Sequence, residues 1–147
     1  MKIRFLGTLA ALTTLFAISC GSNENKDDKP PFTASETETA SAPTGEDIYK
    51  RACASCHMAG GDGIENVYPP LAKSDYISDK ERAIHQVIKG SSGEIVVNGK
   101  KYNNTMPPQQ LNDEEIAAVL TYVYTNMGNG GGTVTAEEVK AIRAKNP

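Results

Sequence analysis

Two cysteines and a histidine stand close together in the run Cys53-Ala54-Ser55-Cys56-His57. The spacing C-x-x-C-H is the attachment signature of a c-type haem, in which two thiols add across the two vinyl groups of the porphyrin. Two intervening residues allow both sulfurs to reach one edge of the macrocycle, and the adjacent imidazole is then placed over the iron. An imidazole binds metal in its neutral form, and a backbone acceptor normally holds its second ring nitrogen. The motif therefore predicts one covalent haem with His57 as an iron ligand.

Two other chemistries also use closely spaced cysteines, and the rest of the sequence disfavours both. A zinc site needs two further ligands at finger-like spacing, and only His85 remains to offer one. A thioredoxin-like dithiol is expected near a βαβ pattern, which is missing from this sequence. Haem attachment is therefore the preferred interpretation.

The sixth iron ligand decides between electron transfer and the binding of gas or peroxide at an open iron site. The candidates are Met58, Met106, Met127 and His85. Met58 adjoins the proximal histidine and cannot reach the other haem face, Met127 lies on a helical apolar stripe typical of packing, and His85 is predicted to face solvent. Met106 lies on a loop before Pro107-Pro108, and proline helps to hold a loop sulfur at a fixed distance. Met106 is therefore the predicted ligand.

Composition narrows the class of protein. The chain has 147 residues and a net charge of −3, so no strong basic field argues for binding to nucleic acid. Aromatic residues are few and tryptophan is absent, which fits a small core completed by a cofactor. Of the three cysteines, only Cys20 remains after haem attachment.

The N-terminal segment has the features of an export signal. Residues 1–19 carry Lys2 and Arg4 before an uncharged apolar run that is too short for a comfortable membrane span. The run Ala17-Ile18-Ser19-Cys20-Gly21 resembles a bacterial lipoprotein signal in which Cys20 becomes the lipidated first residue, although leucine is more usual at the position of Ala17. The alternative is an ordinary secreted protein with a leftover thiol. We expect lipidation at Cys20.

The next segment, residues 20–43, is polar and proline-containing, and it lacks hydrophobic periodicity. Such a segment cannot bury enough apolar surface to offset its ordering entropy, so it is predicted to be a flexible tether. Lys26-Asp27-Asp28 resembles a short acidic signal that directs some lipoproteins to the cell surface. The expected location is the cell envelope, lipid-anchored and facing the periplasm, with the outer membrane or cell surface as a further option.

The folded domain is predicted to span residues 44–147 and to be mostly helical. Helix starts are indicated at Thr44-Gly45-Glu46-Asp47 and at Asn112. Two further helices are predicted to open with capping boxes, at Ser78-Asp79-Lys80-Glu81 and Thr135-Ala136-Glu137-Glu138. Gly90 should end the second helix, whose buried stripe is Ala83, Ile84, Val87 and Ile88. The third should bury Ile116, Val119, Leu120, Val123 and Met127. Asn98-Gly99 between β-favouring residues predicts a hairpin with a two-residue turn. An isolated hairpin is only marginally stable, so it is expected to pack against another part of the domain.

In combination these residues resemble class I (mitochondrial-type) bacterial cytochromes c, over essentially all of residues 44–129. The resemblance implies an all-α fold whose N- and C-terminal helices cross around a covalent haem, here with a small hairpin and an extra C-terminal helix. It implies that Tyr49 packs on the C-terminal helix and that Pro69, or alternatively Pro70, accepts a hydrogen bond from the proximal imidazole. Leu71 should pack on the haem, and Met106 should be the axial methionine.

The hairpin and tail are similar, more narrowly, to cytochrome domains that are fused to or partner periplasmic copper nitrite reductases and some periplasmic dehydrogenases. The resemblance implies a non-enzymatic electron carrier with haem c as its cofactor, which the lipoprotein-like signal at Cys20 would anchor to a membrane. Its partners would be an oxidase, a nitrite reductase or a dehydrogenase, and it would not bind nucleic acid. The alternatives are a haem enzyme or gas-binding sensor with a labile sixth ligand, and a binding module whose haem is incidental.

Overall fold

The structure, a computed structural model, describes residues 42–145. These residues form five α-helices, a short 3₁₀ turn at Tyr76–Ser78 and one two-stranded sheet. The elements are α1 (Gly45–Ala52), α2 (Ala54–His57), α3 (Lys80–Lys89), β1 (Ile95–Val97), β2 (Lys100–Tyr102), α4 (Asp113–Asn126) and α5 (Ala136–Lys145). The prediction of a mostly helical domain with one small hairpin is confirmed. The predicted signal peptide, the lipidation site at Cys20 and residues 20–41 of the predicted tether lie outside the described residues.

Three of the four predicted helix starts are confirmed by their capping contacts. Thr44, Asn112 and Thr135 each accept a hydrogen bond from the backbone N–H three residues later. In each case the carboxylate at that later position accepts the backbone N–H of the capping residue in return. Two otherwise unpaired N–H groups are satisfied at each helix start, so local sequence alone defines where α1, α4 and α5 begin.

The start of α3 differs from the prediction, which placed a capping box at Ser78 and Glu81. The N-cap is Asp79, whose carboxylate accepts the Arg82 N–H at 3.1 Å. The Ser78 hydroxyl instead donates to the Asp75 carbonyl oxygen at 2.6 Å within the preceding 3₁₀ turn. The predicted box was wrong because that turn uses the serine, and an aspartate one residue later can cap equally well.

The contact between α1 and α4 positions the start of the cysteine motif. Ile48 and Tyr49 on α1 are each 1% exposed, and the Tyr49 ring lies 5.7 Å from the Tyr122 ring of α4 between centroids. A Cβ atom on Gly45 would lie 2.3 Å from the Ala118 carbonyl oxygen, so the two helices approach too closely there for any side chain. Because α1 ends at Ala52, this packing fixes the backbone that leads directly into Cys53.

The predicted hairpin is confirmed, and its turn is attached to the loop before α3. Val97 pairs with Lys100 across the turn, whose residues Asn98 and Gly99 have φ of 50° and 76°. The Asn98 side-chain oxygen accepts the Asp75 N–H at 3.0 Å, and the Asp75 carboxylate accepts the Asn98 N–H at 2.7 Å. The hairpin therefore packs against the chain segment that follows the cysteine motif, rather than standing alone.

Helix α5, the predicted extra helix after α4, packs on α3 and α4. Val139 and Ile142 face the core, with Val139 fully buried. Arg143 pairs with Asp113 at 2.8 Å, and Lys80 pairs with Glu138 at 3.1 Å. No helix among residues 42–145 is both long and apolar enough to cross a membrane.

Asn129, just beyond α4, connects that helix to the loop after the cysteine motif. Its side chain accepts the Ser74 N–H and donates to the Leu71 and Val123 carbonyl oxygens, each at 2.9 Å. We expect Asn129→Ala to lower the free energy of unfolding by roughly 2–3 kcal/mol, at about 1 kcal/mol for each hydrogen bond. Urea denaturation of the haem-loaded protein measures this loss.

Asn126→Ala is the matched control for that experiment. Among residues 42–145, the exposed Asn126 amide reaches only Tyr122 and Thr125 of its own helix, so the control should change stability by less than about 0.5 kcal/mol. Equal losses in the two variants would show that Asn129 has no special structural role.

Candidate functional site

One cavity of about 300 Å³ brings the predicted site residues together. The residues that had been predicted to bind the cofactor all line it: Cys53, Cys56, His57, Pro69, Leu71 and Met106. Apolar side chains from α3, the hairpin and α4 complete much of the wall: Ala83, Val87, Ile95, Val97, Val119, Leu120 and Val123. A concave, mainly apolar space with a few polar groups is typical of a cofactor pocket.

The two thiols lie at the junction of α1 and α2. Cys53 ends α1 and also precedes α2, and its carbonyl oxygen accepts the His57 N–H at 2.9 Å. Both cysteines are half-buried free thiols. Burial, followed by the neighbouring Cys56, raises the pKa of the Cys53 thiol to about 11. The motif therefore presents two unpaired sulfurs at the cavity, an arrangement that fits two thioether bonds to one porphyrin edge.

The His57 imidazole is oriented by the Pro69 carbonyl oxygen, which lies 2.9 Å from Nδ1. A carbonyl only accepts, so Nδ1 carries the proton and Nε2 keeps a lone pair. The ring is 8% exposed, and burial lowers the pKa of His57, with the hydrogen bond to Pro69 acting in the opposite direction. A neutral imidazole with a free Nε2 is the form that binds a metal ion.

Gly63 allows the backbone to bring Pro69 to that position. Its φ is 66°, and its N–H donates to the His57 carbonyl oxygen at 3.0 Å. A Cβ atom there would lie 2.7 Å from the Pro69 carbonyl oxygen, the acceptor of the imidazole hydrogen bond. Glycine is therefore required at this position if His57 is to keep its orientation.

The loop that carries Met106 is attached to the C-terminal end of α3. Met106 and Ser91 exchange two backbone hydrogen bonds of 2.9 Å, and the Gln109 N–H donates to the Val87 carbonyl oxygen at 2.9 Å. Gly90 immediately precedes Ser91 and has φ of 73°. A Cβ atom on Gly90 would approach the Met106 carbonyl oxygen to 2.2 Å. The thioether of Met106 is thus held at the cavity by fixed backbone contacts.

Gly90→Ala should displace the Met106 loop. Strain from the positive φ alone costs on the order of 1–3 kcal/mol, and the clash with the Met106 carbonyl adds to it. Gly93→Ala is the control, because Gly93 has φ of 90° but no atom of the described part of the chain lies within 4 Å of its Cβ position. We expect Gly90→Ala to lose more stability in urea denaturation and to bind carbon monoxide more readily. Identical behaviour of the two variants would contradict this role for Gly90.

The other candidates for a sixth ligand lie elsewhere. Met58, Met127 and His85 are not among the residues that line the cavity. Met127 is 7% exposed, and its Sδ would be 2.6 Å from a Cβ atom on Gly61, so it is a packing residue as predicted. His85 is half-buried on α3, less exposed than the solvent-facing position predicted for it.

Several of the residues that line the cavity were not predicted from the sequence. The hairpin contributes Ile95, Val97 and Tyr102, and the alternation of Ile95 and Val97 was a usable signal for a buried face. Ser74, Tyr76 and Gln86 also line the cavity. No local pattern marks these three, because folding alone brings the 3₁₀ turn and α3 to the cysteine motif.

The comparisons with known proteins agree on one family. Residues 42–127 match the family model described as cytochrome c. Cytochrome c-552 of Thermus thermophilus is 41% identical over 114 residues, which cover 69% of this chain and 85% of that protein. Cytochrome c-551 of Bacillus subtilis strain 168 is 32% identical over 122 residues, covering 83% of this chain and 94% of that protein. The cytochrome c subunit of a quinone alcohol dehydrogenase from Gluconobacter oxydans is 29% identical over 140 residues, 92% of this chain but 29% of that subunit.

Proposed function

The chain belongs to the cytochrome c family, and on that basis we propose that it carries single electrons through an iron bound by His57 and Met106. The family binds one covalent haem c, and Cys53 and Cys56 occupy the attachment position. Its members are electron carriers and electron-transfer subunits rather than catalysts. When bound, the haem iron accepts and releases one electron. The chain's own residues attach the haem, orient its ligands and exclude water.

The observation that carries the ligand assignment is the way in which both side chains are held at one cavity. Pro69 directs the free Nε2 of His57 away from its own carbonyl, and Ser91 fixes the backbone of Met106. Two ligands fixed in this way would leave no iron position for gas or peroxide. A histidine–methionine pair in an apolar pocket also raises the reduction potential, which suits a carrier.

We also propose that α1 and α4, which correspond to the N- and C-terminal helices of the cytochrome c fold, cross around the haem. The close approach of Gly45 to Ala118 and the ring contact between Tyr49 and Tyr122 support it, because they hold α1 against α4. In this arrangement α1 delivers the cysteines, while α4 supplies Val119, Leu120 and Val123 to the cavity wall.

A potentiometric titration of the haem-loaded protein tests the function. We expect one reversible transition that follows a one-electron Nernst curve, with no consumption of peroxide by the oxidised protein or binding of carbon monoxide by the reduced one. Sustained peroxide turnover or ready binding of carbon monoxide would favour the alternative of a haem enzyme or gas sensor. That alternative also needs an acid–base group near an open iron, and within residues 42–145 His57 is the only histidine at the cavity.

Lipid anchoring through Cys20 is a separate proposal, supported by the lipoprotein-like signal at residues 17–21. A single acyl chain binds membranes only marginally, and bacterial lipoproteins carry several. Cys20→Ser should therefore move most of the protein from the membrane fraction to the soluble fraction, whereas Ser22→Ala should not. Immunoblotting of the two fractions measures the change. Retention of Cys20→Ser in the membrane would instead indicate an uncleaved anchor and contradict lipidation.

The proposed partners are redox proteins of the cell envelope. Similar proteins include cytochrome subunits of an alcohol dehydrogenase and of a fructose dehydrogenase, although this chain matches only 29% and 22% of those subunits. A dehydrogenase is therefore one proposed electron donor, and an oxidase or a nitrite reductase is a proposed acceptor. A carrier needs only a small, transient contact with each of them.

A further inference from the structure

Ser74 is a buried polar residue whose hydroxyl the protein leaves unused. Its side-chain oxygen is the only buried side-chain N or O atom without a hydrogen-bond partner in residues 42–145. The residue is 7% exposed and lines the cavity, and its backbone N–H is held by the Asn129 side chain at 2.9 Å. Because an unpaired buried hydroxyl is destabilising, the occupant of the cavity is the natural source of its partner.

A second hydroxyl at the same cavity is arranged to donate. The Gln86 side-chain amide donates to the Tyr76 hydroxyl oxygen at 2.9 Å, and both residues line the cavity. The hydroxyl hydrogen of Tyr76 has no acceptor among the described residues, so it is available to the occupant. The guanidinium carbon of Arg82 lies 4.5 Å from the centre of the Tyr76 ring, which places positive charge next to that ring. Part of that charge is offset by Asp79, 3.7 Å from the guanidinium.

We propose that Ser74 and Tyr76, which both line the cavity, donate hydrogen bonds to a haem propionate. These two residues would then mark the end of the cavity that holds the haem carboxylates. The inference rests on the proposed haem function. A porphyrin of this kind carries its vinyl groups and its propionates on opposite edges, so attachment at Cys53 and Cys56 directs the propionates away from the cysteines. Two hydroxyl donors backed by a guanidinium suit a carboxylate, since hydrogen bonds to a charged acceptor are the stronger kind.

The proposed contact has an electrostatic consequence. Donated hydrogen bonds offset part of the negative charge of the propionate, and that charge otherwise stabilises the oxidised iron. Removal of a donor should therefore lower the reduction potential without changing the iron ligands. A purely structural serine would not produce this effect, because its loss would alter stability rather than potential.

The test compares Ser74→Ala and Tyr76→Phe with two controls in the haem-loaded protein. Ser74→Thr keeps a hydroxyl at the same position, and Ser78→Ala removes an exposed hydroxyl that bonds only to the Asp75 carbonyl in the same segment. Infrared spectra of protein containing haem labelled with ¹³C at the propionate carboxylates report the hydrogen bonds directly. The midpoint potential is measured on the same samples.

We expect Ser74→Ala and Tyr76→Phe each to keep the haem and the methionine–iron bond, to shift a labelled carboxylate band and to lower the midpoint potential. Both controls should match the wild type. Unchanged bands and potential in a haem-loaded, methionine-ligated protein would overturn this inference alone. A wild type that carries no haem would overturn the proposed function itself, and this inference with it.

Discussion

Alanine at both Cys53 and Cys56 is expected to abolish covalent haem retention and to leave a largely unfolded chain. Loss of the haem would open to water a cavity of about 300 Å³ whose wall is mainly apolar. A typical domain is stable by only about 5–15 kcal/mol, so this exposure is expected to be severely destabilising. Intact-mass measurement of the purified variant should give the polypeptide mass without haem, and circular dichroism should show reduced helix content.

The single variants and a control refine this prediction. Cys53→Ala and Cys56→Ala each keep one thiol, so we expect a singly attached haem and intermediate stability. Ser92→Ala changes an exposed residue that does not line the cavity and should behave as the wild type. A doubly substituted protein whose haem withstands extraction with acidified organic solvent would contradict attachment through these sulfurs.

Met106→Ala is expected to convert a six-coordinate iron into one with an open site. The reduced variant should bind carbon monoxide, which the wild type should not, and electron delivery to an acceptor should slow. Met106→His should remain six-coordinate with a lower potential, since axial ligands set haem potentials over a range of about 0.8 V. Stopped-flow mixing with carbon monoxide and a potentiometric titration measure the two effects.

Met127→Ala is the matched control for that substitution. Met127 is buried but does not line the cavity, so its truncation should cost about 2–5 kcal/mol of stability while leaving the iron ligands unchanged. Carbon monoxide binding by Met127→Ala but not by Met106→Ala would reverse the assignment. Binding by the wild type and by Met106→Ala alike would show that Met106 is not a ligand.

Local rules explain how much of the fold could be predicted from the sequence. The starts of α1, α4 and α5 and the Asn98-Gly99 turn depend on residues within four positions of one another, and all were predicted. A helix was also predicted to open at residues 78–81, but its capping residue was wrong, because Ser78 and Asp79 are both good capping residues and a preceding turn decides between them.

The same distinction between local and long-range contacts holds for the candidate site. The motif at Cys53, Cys56 and His57 was readable because haem attachment requires those residues at that spacing. The contact between Asn98 and Asp75 joins residues 23 positions apart, and Ser74, Tyr76 and Gln86 reach the cavity only through such long-range packing. Residues with ordinary local sequence could not be recognised as cavity residues before the fold was known.

The most direct measurement of the central claim is the red to near-infrared absorption spectrum of the oxidised wild-type protein. Cytochromes c whose iron is bound by histidine and methionine show a weak charge-transfer band in this region, which depends on the bond between the sulfur and the iron. We predict that the band is present in the wild type and in Met127→Ala, and that it is absent in Met106→Ala. A haem-loaded wild type without the band, or a Met106→Ala variant that retains it, would contradict the account of a His57/Met106 electron carrier.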